Sequence, residues 1–142
     1  MLAASQAGMA FSNSSVALVH GMSRPIGAHF HVTHGLSNAM LLPTVTEFSI
    51  KGHEERYATC ARVMKWASEK DNDSIACSKL IESLFILNDD LKVPSPRILG
   101  HSADQAMLKL MASQALASGS PQNNPIVPTQ NQIIQLYEEV WG

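Results

Sequence analysis

Residues 17–43 read ALVHGMSRPIGAHFHVTHGLSNAMLLP, and the reading of this stretch decides the fold. It holds four of the six histidines, His20, His29, His31 and His34, together with Pro25 and the glycines Gly21, Gly27 and Gly35. On one unbroken helix His20 and His34 would stand roughly 21 Å apart along the axis. A metal ion binds a histidine nitrogen at about 2 Å. Both rings can share one ion only if the chain doubles back between them. Pro25 deletes a helical hydrogen bond and Gly27 tolerates a turn, so the reversal is expected there.

Outward from this stretch the pattern is helical throughout. Leu2 to Phe11 reads as a first helix, and Ser14 or Ser15 as the cap of the next, which runs from Val16 to about Gly27. After a connector at 29–33, a third helix starts near His34 or Gly35, with a kink or early end near Leu42 imposed by Pro43. A fourth, His53 to Ser68, carries an apolar stripe of Tyr57, Cys60, Ala61, Met64 and Ala67. A fifth follows the polar turn Asp71-Asn72-Asp73 and runs from Ser74 to about Leu91. It is apolar on all sides and is expected to be deeply buried. A sixth is capped by Ser102 with Gln105, and a last helix by Thr129 with Gln132. No strand pattern, repeat or heptad is present. The expectation is a single all-α domain over residues 1–142, a bundle of six to seven helices.

Composition narrows the function. The formal net charge is −2, with no basic excess, which argues against nucleic acid. No apolar run reaches ~18 residues, so no membrane span is expected. Charged residues are only 15% of the chain, against ~25% in ordinary soluble domains. An apolar face covered by another domain, or by a second copy in a homodimer, is expected. Cys60 and Cys77 have no C-x-x-C partner and read as buried free thiols, which suits a reducing cytoplasm.

The pattern H-G-M-S-R-P-I-G-A, five residues, then H-G-L-x-N-A-M-L-L-P resembles the metal-binding signature of the iron-containing (group III) alcohol dehydrogenases. AGMAFSN at 7–13 is similar to that family's preceding helix. SGSPQNNPIVPT at 118–129, with the helix after it, is similar to the family's C-terminus. The resemblance implies the C-terminal part of a helical domain of the dehydroquinate synthase-like kind. It implies that His20 and His34 descend from ligands of an iron (or zinc) ion, and that Phe11 shapes the substrate pocket beside it. The whole enzyme of this family transfers hydride between an alcohol and NAD(P). Its other two metal ligands lie in a D-x-x-x-H helix, and its nicotinamide in an α/β domain with a Gly-rich loop. Neither D-x-x-x-H nor G-x-G-x-x-G occurs here. The chain alone is therefore expected to bind the ion weakly, to hold no nicotinamide and to be inactive.

Several residues keep more than one reading. His29 or His31 either joins the ion or belongs to a loop lining the cofactor cleft. Arg24 stands where several family members carry a His. It stays protonated and cannot be a general base. It pairs with a substrate carboxylate or a cofactor phosphate, or it makes a salt bridge. Asn38 reads as a brace of the turn, and His53 and His101 as exposed bystanders. Rival readings of the whole chain are a free-standing helical interaction module and a small metal-binding protein using His20, His34 and one of His29 or His31.

Overall fold

Leu18, Met22 and Ile26 recur every four residues, line one face of helix α2 (Leu18–Phe30) and are fully buried. This is a computed structural model, and it describes residues 1–142. The other helices are α1 (Leu2–Ser14), α3 (His34–Ile50), α4 (Glu54–Val63), α5 (Asp73–Asp90), α6 (Gln105–Ala117) and α7 (Gln130–Trp141), with a 3₁₀ turn at Ser120–Asn123. There is no strand, so the all-α expectation holds.

The main core lies where α2 and α3 meet α6 and α7. Leu18, Met22 and Ile26 pack with Leu41 and Val45, with Met111 and Ala115, and with Ile133 and Tyr137. Tyr137 is fully buried, and its hydroxyl donates to the Met22 carbonyl at 2.7 Å. That bond fastens the last helix to α2. Close approach matters beside His20. A methyl group on Gly21 would come within 3.0 Å of the Pro121 ring, so glycine lets the 3₁₀ turn sit against α2. A smaller core of Ala58, Ala61, Ala76, Cys77, Leu80 and Leu84 joins α4 to α5.

The structure moves several expected features. The chain does not reverse at Pro25. Helix α2 carries Pro25 inside it and runs on to Phe30, and the turn is His31–Thr33. His31 is left-handed (φ 55°) and its N–H closes the helix on the Gly27 carbonyl. Pro43 likewise lies buried within an unbroken α3. Neither Ser14 nor Ser15 caps α2, whose cap position is Ala17. Helix α6 is capped by Asp104, which accepts from the Met107 N–H at 2.8 Å, and not by Ser102. Thr129 and Gln132 do form the capping box of α7.

Helix α4 stops at Val63. Its buried face is centred on Ala58 and Ala61, which turns Cys60 and Met64 to solvent; only Cys77 is a buried thiol. Helix α5 is not enclosed. It buries Ala76, Cys77, Leu80 and Leu84, while Phe85, Ile86, Leu87 and Leu91 are exposed. Helix α1 buries no residue at all. No helix is long and apolar enough to cross a membrane.

Candidate functional site

His20 lies in the first turn of α2, and His34 is the first residue of α3. The hairpin between them turns fourteen residues of separation into a ring-centroid distance of 5.1 Å, with the ring planes tilted by 56°. The geometric expectation is met, although the turn that meets it lies beyond Pro25 and Gly27.

The surroundings set the chemistry of the two rings. Burial first, then the neighbouring His34 and Arg24 charges, hold the His20 pKa below the ordinary imidazole value. A neutral imidazole keeps a lone pair for a cation. His34 is exposed, and its Nε2 lies 3.0 Å from Asn38 Nδ2, one helical turn on. Asn38 thus braces His34 itself, which is a narrower task than bracing a turn. The spacing of four on a helix was the signal for it. The Asn38 Oδ1 atom is buried without a partner.

His20 and His34 bring two imidazole donors together. Nowhere do three or more His, Cys, Asp or Glu side chains converge as a metal site would require. His29 turns to α6 and bonds Gln114 Oε1 at 2.8 Å. His31 is the exposed left-handed residue that ends α2. Neither joins the pair. His53 is exposed at the start of α4, as expected. His101 is not a bystander: it is half-buried, its ring stacks on Phe30 at 5.1 Å, and its carbonyl accepts from Trp141 Nε1 at 3.2 Å.

A cavity of about 630 Å³ opens beside His20, walled by Phe11, Val19, Asn38, Leu42 and Tyr57 among others. Phe11 and His20 therefore line the same cavity. The sequence offered Tyr57 only as part of the apolar stripe of α4, not as a cavity residue; burial raises its phenol pKa. Arg24 is exposed, lies outside the cavity lining and makes no ion pair.

The comparisons with known proteins bear on this site. Residues 1–141 match the family model described as Fe-containing alcohol dehydrogenase family, C-terminal. The chain is similar to lactaldehyde reductase of Escherichia coli K12, 35% identical over 135 residues that cover 95% of this chain and 35% of that protein. It is similar in fold to a crystal structure of 1,3-propanediol oxidoreductase, with a TM-score of 0.87 and 29% identity over 94% of this chain and 35% of the other. An alcohol dehydrogenase from Oenococcus oeni superposes with a TM-score of 0.86 at 31% identity, again over 94% and 35% of the two chains. The chain spans about a third of the length of the relatives it matches. With its whole length inside the family's C-terminal region, the chain belongs to the Fe-containing alcohol dehydrogenase family.

Proposed function

We propose that this chain is the metal-binding helical part of an NAD(P)-dependent oxidoreductase acting on small alcohols or aldehydes, with His20 and His34 supplying two ligands of an iron or zinc ion. One observation carries the reading: in a chain of this family, the two signature imidazoles meet at 5.1 Å across a helical hairpin. A bound divalent ion supplies Lewis-acid polarisation of the alcohol oxygen, which favours hydride transfer to the nicotinamide. The chain's own residues do the rest. Burial first, then neighbouring positive charge, hold the His20 pKa below the ordinary imidazole value, which favours the neutral ring that a cation needs. Phe11, Val19 and Leu42 give the cavity an apolar wall against which an alcohol's carbon chain can lie.

Zinc added to the 142-residue chain is expected to perturb the His20 and His34 ring resonances together, and weakly, because two imidazoles are an incomplete set. Separate responses of the two rings would overturn the shared site. Turnover of simple alcohols with NAD(P) by this chain alone would overturn its proposed dependence on further protein for activity.

The exposure of α1 favours a second reading, association through an apolar face. Helix α1 buries nothing, and Met9 and Phe11 stand 62% and 55% exposed. Sedimentation of a monomer at high concentration would remove it.

A further inference from the structure

We infer that Arg24 anchors a carboxylate on the substrate, so that the site takes a short hydroxy acid or the matching oxo acid in preference to a neutral alcohol. The inference rests on His20 and His34 marking the reacting centre.

The first argument is the distribution of charge. All twelve carboxylates of the chain lie at Glu47 or later, and Arg24 is the only Lys or Arg before Lys51. Helix α1, helix α2 and α3 as far as Thr46 therefore contain one fixed positive charge and no acid to balance it. The ion pairs of the structure, Arg62–Asp73 and Lys79–Asp71, are made among residues 62–79 and leave Arg24 out. An exposed guanidinium that makes no ion pair is open to an anion from outside.

The second argument is position. Arg24 is four residues after His20 on α2, so both project from one face of the helix, about 6 Å apart along the axis. A carboxylate held in the planar guanidinium fork would carry its hydroxyl carbon toward His20 when only a few bonds separate the two groups. In the oxidative direction the carbinol C–H leaves as hydride to NAD(P)⁺, its O–H proton passes to solvent, and the carbonyl of the oxo acid forms. The carboxylate takes no part beyond orientation.

The test uses the 142-residue chain without metal, with glycolate and ethylene glycol as a matched charged and neutral pair. Nitrogen-15 NMR reads the Arg24 Nε–H and the His20 ring. Glycolate is expected to shift both, and ethylene glycol neither. Arg24→Gln should weaken glycolate binding by about threefold to fivefold, and Arg24→Lys by less. Arg24 is exposed, so both variants should keep the helical circular dichroism of the parent. Equal glycolate affinity in Arg24→Gln and the parent overturns the inference. So does a response of Arg24 to inorganic pyrophosphate with none to glycolate, which would assign the cation to a cofactor phosphate. A separate zinc titration of His20 and His34 tells failure of this anchor from failure of the proposed metal site.

Discussion

Asn88 donates from Nδ2 to the Ala39 carbonyl at 2.8 Å, and Ala39 is the residue whose helical partner Pro43 removes. An internal proline lacks the N–H that would bond the carbonyl four residues back. Helix α5 supplies the missing donor through a side chain. With that carbonyl satisfied, α3 stays unbroken from His34 to Ile50, and His34 stands on the same rod as the core residues Leu41 and Val45.

The Asn88–Ala39 bond makes a conditional prediction. Asn88→Ala should lower stability by about 1–3 kcal/mol, because it orphans a part-buried carbonyl. In a Pro43→Ala background residue 43 has its own N–H for Ala39, and the loss on removing Asn88 should shrink. Urea unfolding of the two single variants and the double variant gives the coupling directly. Strict additivity would show that Asn88 acts by something other than replacing the lost helical bond.

Two glycines should respond in opposite senses to alanine. A methyl on Gly52 would come within 2.8 Å of the Pro125 carbonyl oxygen and 2.9 Å of its carbon, both backbone atoms that yield poorly. Gly52→Ala should cost about 1–3 kcal/mol. A methyl on Gly35 meets nothing within 4 Å, and the residue lies in the first turn of α3. Gly35→Ala should be neutral or stabilising by up to about 1 kcal/mol. Thermal melts of both variants decide the matter.

The environment of His20 carries a pH dependence. Its folded pKa lies below the ordinary imidazole value, chiefly through burial. The unfolded chain therefore binds this proton more readily than the folded one, and stability rises with pH between the two values. The contribution is fully present above the unfolded value and is lost as pH falls through the folded one. A proton titration by NMR should place the His20 midpoint below that of a free imidazole. His20→Gln should flatten the acid side of the stability profile, and an unchanged profile would show that the ring makes no such contribution.

The pairing of His20 with His34 was legible because the resemblance implies one shared ion, which a straight helix forbids, and the capping box at Thr129 was legible because both of its residues are local. In sequence Pro43 reads as a kink or early end of its helix, because a proline looks like a breaker until its freed carbonyl finds another donor. Asn88, 49 residues from Ala39, is a tertiary answer that no local pattern contains. Helix α5 failed for another reason. A helix apolar on every side does not reveal which side packs, and α4, stopping at Val63, is short enough to cover only the Ala76–Leu84 face. The start of α6 offered Ser102 and Asp104 two residues apart, either of them a fair cap, and the helix begins directly after Asp104. The bare stretch without a carboxylate, by contrast, was in plain view in the sequence and gained meaning only once Arg24 proved unpaired.

Helix α1 is closed by Ser15, the residue after its last turn, whose φ of 64° is a conformation that serine seldom adopts, and the helix contributes Phe11 to the cavity while burying none of its own side chains. Thirteen residues of helix have little persistence in water by themselves. Local unfolding of this segment should therefore run far ahead of global unfolding, and its amide hydrogens should exchange with solvent well before those of Leu18, Met22 and Ile26. The cavity has a rigid floor and one compliant side, so its shape toward a ligand is governed by whatever stiffens the first thirteen residues.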